Sequence, residues 1–138
     1  MVRNTLKRSE KLKSSRIIGE LFRSGNIITV LPVKLFWQFY YDTDHAIPIR
    51  MAVTVPSKNF KKAVDRNLIK RRIREAYRLN KHTLFNSLSE KKISLNFIFL
   101  YLPKNIHSYQ EIAQGVIRTL TILADQLKSV SVQNEIHI

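Results

Sequence analysis

The stretch Lys58 to Lys81, KNFKKAVDRNLIKRRIREAYRLNK, carries ten Lys and Arg side chains against two acids, Asp65 and Glu75. From about Asp65 it holds neither Gly nor Pro and winds as a helix, with Ile69, Ile73, Ala76 and Tyr77 stacked at i, i+4, i+7 and i+8. That spacing predicts a buried stripe. On roughly the opposite side fall Asn67, Lys70, Arg71, Arg74, Arg78 and Lys81, so the same helix offers a ridge of cations. A charged helix face is ordinarily a solvated one, balanced by acids at i, i+4, but here only Glu75 can form a local pair. The like charges at Lys70/Arg74 and Arg74/Arg78 repel instead, by about a few tenths of a kcal/mol each. Such a ridge fits a polyanion. Phosphate backbone is the natural one, because five of the ten cations are Arg, whose planar fork takes phosphate bidentately.

The rest of the composition points the same way. At 138 residues, with 44% hydrophobic and 25% charged side chains, the chain has the length and apolar content of one globular domain. Its formal net charge of +14 is not ordinary and favours nucleic acid or an anionic surface as partner. The longest apolar run, Phe97 to Leu102, is far too short to span a bilayer. Residues 1–16 are basic but lead into no apolar signal core, so no signal peptide is expected. Zero cysteine excludes disulfides and thiolate-held zinc and agrees with a cytoplasmic protein.

Arg3, Lys7, Arg8, Lys11 and Lys13 make residues 1–14 a basic arm, expected to be mobile until something binds it. Ser14 or Ser15 then caps a short helix bearing Ile17, Ile18, Leu21 and Phe22, and Gly25 stops it. Ile27 to Leu31 reads as a strand ended by Pro32. Val33 to Tyr41 alternates Val33, Leu35, Trp37, Phe39 and Tyr41 against Lys34, Phe36, Gln38 and Tyr40. Both of its faces carry aromatics, so either Phe36 and Tyr40 or Trp37, Phe39 and Tyr41 could stack on unpaired bases. Asp42-Thr43-Asp44-His45 reads as a turn, and Ile47 to Val55 alternates as a further strand. After the basic helix, Thr83 to Lys92 reads as a turn of helix plus loop. Ile93 to Tyr101 is the most apolar strand, central and buried on both faces. Ser108 and Glu111 form a capping box opening a core helix through Ile112, Val116, Ile117, Leu120, Leu123, Ala124 and Leu127, and residues 129–138 carry no strong signal. The order predicts an α/β (α+β) sandwich in a single domain, 1–138, with a central mixed sheet and the basic helix as a strand–helix–strand crossover. General rules make such a crossover right-handed.

The residues argue for a binder. His45, His82, His107 and His137 are scattered, no Gly-rich phosphate loop is present, and the ten acids show no motif for a two-metal phosphodiesterase. A ribosomal or chaperone-like RNA binder shares this charge. A double-stranded DNA reader lacks its helix-turn-helix partner here, and a protein-only metal nuclease would need a metal site.

Ser57-Lys58, Lys62-Ala63-Val64, Arg66-Asn67, Lys70-Arg71-Arg72 and Arg74-Glu75, taken together at their spacing, resemble the signature of the protein component of bacterial ribonuclease P. The family motif reads Arg-Asn-Arg where this chain has Arg66-Asn67-Leu68, and Pro56 is one extra residue before Ser57. The resemblance implies a ribosomal-protein-like fold with a left-handed crossover, against the general rule. It also implies removal of the 5′ leader from precursor tRNA by a ribonucleoprotein whose RNA subunit supplies the active site and its magnesium, with no obligatory protein partner. Lys58, Lys62, Arg66, Asn67, Lys70, Arg71, Arg74 and Arg78 would then dock on ribonuclease P RNA. The first helix would line the leader cleft, with Ile18 and Phe22 at two positions that are aromatic in the family and with Phe36 and Trp37 as further cleft candidates.

Overall fold

The computed structural model describes residues 10–41, 48–88 and 93–129. The first nine residues of the basic arm, the turn at Asp42-Thr43-Asp44-His45 and the tail from 130 onward lie outside the described residues. Within them run α1 (Ser15–Ser24), β1 (Asn26–Val30), β2 (Val33–Tyr41), β3 (Ile49–Thr54), α2 (Ala63–Asn80), α3 (His82–Leu88), β4 (Ile93–Tyr101) and α4 (Tyr109–Lys128). The strands form one mixed sheet in the order β1-β2-β4-β3, antiparallel except for the parallel pair β3 and β4. Parallel neighbours cannot be joined by a hairpin. The basic helix α2, followed by α3, supplies the crossover between them.

Strand β4 is interior to the sheet and buried from Ile93 to Phe99, which is why its apolar run does not alternate. One face of the sheet, bearing Leu35, Trp37, Met51, Val53, Phe97 and Phe99, packs on Ile69, Ile73 and Tyr77 of α2 and on Val116, Leu120 and Leu123 of α4. Ile69 and Ile73 are fully buried there, each contributing about 1.5–3 kcal/mol relative to exposure. The other face carries a smaller cluster, Leu12, Leu21, Phe36 and Ile98, with Ile17 and Ile18 of α1 against it. The layers are thus α1, sheet, then α2 with α4.

Local chemistry sets the element ends. Ser14 Oγ accepts from the Ile17 N–H at 3.3 Å, and the Gly25 N–H donates to the Leu21 carbonyl at 2.9 Å to close α1. Gly25 keeps an ordinary negative φ of −70°; a side chain is excluded because its Cβ would lie 2.6 Å from the Leu21 carbonyl oxygen. Gly115 serves similarly, since a Cβ there would meet Pro32 Cδ at 2.7 Å and prevent α4 from lying on the β1–β2 turn. The capping box at Ser108 and Glu111 forms as expected, and its hydrogen bonds from Ser108 hold the Glu111 carboxyl below the usual range.

Two expectations are corrected. The arm is not free throughout 1–14: the Leu12 N–H donates to the Met51 carbonyl at 2.8 Å, and Lys11 bridges Met51 in parallel, so this segment lies along the open edge of β3. Lys81 does not join the ridge. It follows the last turn of α2, is 1% exposed, and its Nζ lies 2.9 Å from both carboxylate oxygens of the buried Glu10. A lysine near the core persists only with such a partner.

Burial pushes the neighbouring Tyr77 phenol well above its ordinary pKa of 10.0, and the Glu10 carboxylate adds to the shift. The folded state therefore holds this proton more tightly than the unfolded chain, so the stabilisation is complete below pH 10 and fades as pH climbs above it. The Tyr77 hydroxyl has no hydrogen-bond partner among the described residues. Tyr77→Phe is expected to leave neutral-pH stability unchanged or raise it by about 1 kcal/mol. It should also flatten the alkaline loss, apart from the share due to Tyr101, which burial likewise raises. Urea melts at pH 8 and pH 11 would check this; a clear neutral-pH loss would mean that the hydroxyl is bonded.

Candidate nucleic-acid interface

Core packing of Ile69, Ile73, Ala76 and Tyr77 fixes the rotation of α2, and with it the direction of the remaining side chains. Asn67, Arg71 and Arg74 are exposed, Lys70 is half-buried, and Lys58 and Lys62 are exposed at the approach to the helix. Among the described residues no acid pairs with Lys58, Lys62, Lys70, Arg71 or Arg74. With Lys61, also exposed and without an acid partner there, they are the six cations of the stretch that remain for an outside anion.

The other Arg residues of the helix are partly committed to the protein. Arg66 Nη1 donates to the carbonyls of Phe60 at 2.7 Å and Lys61 at 3.0 Å, tying the entry loop to the first turns of the helix. Arg72 Nη1 donates to the His107 carbonyl at 2.6 Å and so holds the loop before α4. Arg78 forms a two-pronged pair with Glu75, Nε to Oε1 at 3.0 Å and Nη2 to Oε2 at 2.7 Å. That hydrogen bond holds the Glu75 carboxyl below its ordinary range and raises the guanidinium, so Arg78 would meet any outside anion as half of an ion pair.

A second feature lies on the opposite face of the sheet, between α1 and the strands. Phe22 is 43% exposed and stands edge-on to Phe36 at 4.9 Å between ring centroids, while Lys34 Nζ lies 5.4 Å from the Phe36 ring. Gln38, Asn96 and Arg50 are directly paired across β2, β4 and β3 and make a polar row beside that aromatic pair. Arg50 Nη1 donates to the Tyr40 hydroxyl at 3.3 Å. The trough between this row and Arg16, Ile17 and Glu20 of α1 encloses about 650 Å³. Cations interleaved with aromatic rings in a trough suit an unpaired strand, because rings stack on bases while cations follow phosphates.

A family model described as Ribonuclease P matches residues 6–124. The chain belongs to that family. The ribonuclease P protein component of Porphyromonas gingivalis is 30% identical over 131 residues, covering 94% of each chain. That of Chlorobium phaeobacteroides is 32% identical over 126 residues, covering 85% of this chain and 86% of its own. In fold, the chain is similar to the RNase P protein of Staphylococcus aureus, with TM-score 0.62 and 19% identity over 83% of this chain and 94% of that one. It is also similar to the RNase P protein from Thermotoga maritima, with TM-score 0.59 and 18% identity over 84% of this chain and 96% of that one. It is accordingly a ribonuclease P protein subunit with the α+β fold of its relatives.

In this ribonuclease P protein the four cleft candidates do not stay together. Phe22 and Phe36 meet against α1, and Ile18 packs on the same small cluster, but none of the three lines the trough, whose rings are Phe39 and Tyr40. Trp37 does not line it. Alternation sends Trp37 to the α2/α4 face, where it is 5% exposed and stacks with Phe39 at 6.4 Å. Phe36 itself is buried beneath Phe22, which leaves Phe22 and Tyr40 as the accessible rings. Gln38, Arg50 and Asn96 as trough residues, and Lys34 over the Phe36 ring, were missed. The signal lay in the alternation: Lys34 and Gln38 share a phase with Phe36 and Tyr40, which marks that face as the one meeting water.

Among the described residues no group of three or more His, Asp or Glu side chains stands close enough together to hold a metal ion. No helix among them is long and apolar enough to cross a membrane.

Proposed function

We propose that this subunit docks on ribonuclease P RNA through Lys58, Lys62, Lys70, Arg71 and Arg74, with Asn67 between them and Arg66 and Arg78 at the flanks. It holds the single-stranded 5′ leader of precursor tRNA on the α1 face of the sheet, over the trough of Tyr40 and Arg50 and the adjoining exposed Phe22 with Lys34. The holoenzyme is then an endoribonuclease that makes mature tRNA 5′ ends in the cytoplasm, with the active site and its magnesium ions on the RNA and no obligatory protein partner. The observation that carries this is the outward face of α2, where cations without acid partners project from a helix whose other side is locked into the core.

The protein's contribution is electrostatic and geometric. Neutralising phosphates lowers the repulsion between catalytic RNA and substrate, so cleavage needs less magnesium; six phosphate contacts would cost about a thousandfold in affinity between 50 and 200 mM salt. The test is cleavage of a 5′-extended precursor tRNA by a bacterial ribonuclease P RNA at low magnesium, with and without the protein. Protein-dependent cleavage at the mature 5′ end is expected. Phe22→Ala should lose about tenfold in kcat/KM for a substrate with a long leader and nothing for one with a single leader nucleotide. No stimulation, with binding indifferent to the leader, would leave a general RNA binder.

A further inference from the structure

The outward face of α2 is not uniformly charged. Val64, in its first turn, is 70% exposed, and Leu68, one turn on at i+4, is half-buried on the same side. Valine is a poor helix former because its branched Cβ loses rotamer freedom against the preceding turn, so the helix itself gains nothing from it. Single apolar residues on a surface need no explanation. This pair differs in its setting. Asn67 at i+3 and Arg71 at i+7 from Val64 share its face, and Lys61 and Lys62 precede it. Leu68 thus places an apolar group inside a face otherwise made of Asn67 and cations.

Once Arg71 and the lysines hold phosphates, the space over Val64 and Leu68 is filled by whatever those phosphates flank. A paired A-form helix would place hydroxyl-rich sugar edges there, burying polar groups against methyls. An unstacked base instead offers a flat apolar face that covers both side chains, with its edge free for the exposed Asn67 carboxamide. We propose that Val64 and Leu68 form the seat for the face of one unpaired nucleobase of the catalytic RNA. This rests on the docking of α2 on that RNA argued above.

The test is equilibrium binding of the full chain to the ribonuclease P RNA of Porphyromonas gingivalis over a series of salt concentrations. The Val64→Ser/Leu68→Ser variant, its fold checked by thermal melting because Leu68 is half-buried, should bind about tenfold more weakly with an unchanged slope of log affinity against log salt. Arg71→Ala should lower that slope by about one, and Leu68→Arg should raise it by about one. A photo-crosslinking residue placed at position 64 would identify the facing nucleotide. Making that nucleotide abasic should cost the wild-type protein the same tenfold and the double variant nothing further. Wild-type-like binding by the double variant, a fall in its salt slope, or an abasic penalty that persists in it would each overturn the seat while leaving the RNA-docking role intact. Failure of the wild-type chain to bind the RNA at all would instead overturn the docking role, and the seat with it.

Discussion

Replacing Lys70, Arg71 and Arg74 together with alanine is expected to weaken binding to ribonuclease P RNA by about a hundred- to a thousandfold at 150 mM salt and to lower the salt slope by about three. These three side chains have no acid partners among the described residues, so their charge is available to phosphate without breaking a contact within the protein. The fold should not suffer. Lys70/Arg74 and Arg74/Arg78 are like-charge pairs at i, i+4, so their removal relieves about a few tenths of a kcal/mol each, and the melting temperature should hold or rise slightly. Loss of RNA affinity without loss of stability separates an interface from a structural role. Cleavage at low magnesium should fall with affinity and recover at high magnesium, where free cations substitute for the missing ones. A triple variant that keeps its affinity and salt slope would show that the ridge is only solvated.

The second large effect is on stability. Lys81→Ala leaves the Glu10 carboxylate, 8% exposed, without the ammonium that both its oxygens face at 2.9 Å. Breaking a buried pair from one side costs about 3–5 kcal/mol, which for a chain of this size lowers the melting temperature by about 10–15 °C. The loss should include release of residues 10–12 from the β3 edge, read as faster exchange of the Leu12 amide that bonds Met51. Glu10→Met/Lys81→Met should recover most of the stability, since no charge is then left in the interior. If Lys81→Ala melted within about 1 kcal/mol of wild type, the pair would have to be far better hydrated than its burial indicates.

What the chain determined by itself is the part governed by local periodicity and end chemistry. The apolar stripe of α2, the nine-residue strands at Val33 and Ile93, the capping box at Ser108 and the stop at Gly25 all follow from neighbours within about one turn or one pleat, and each forms where its residues indicate. The cationic face of α2 was legible for the same reason: once Ile69 and Ile73 are inside, Arg71 and Arg74 must be outside. Tertiary structure decided whatever depends on partners distant in sequence. Periodicity shows that Trp37 and Phe36 point to opposite faces of β2, but which face meets α1 depends on where the helices pack. Lys81 lies at the helical angle of a ridge residue, yet it sits at the very end of α2, where Glu10, 71 positions earlier in the chain, comes within 2.9 Å and outweighs solvation. The same Glu10–Leu12 segment reads as part of a mobile arm because its anchors, Met51 and Lys81, are brought to it only by the fold. Helix angle and strand phase are local properties, whereas burial of a charge depends on whether a counter-charge arrives from elsewhere in the molecule.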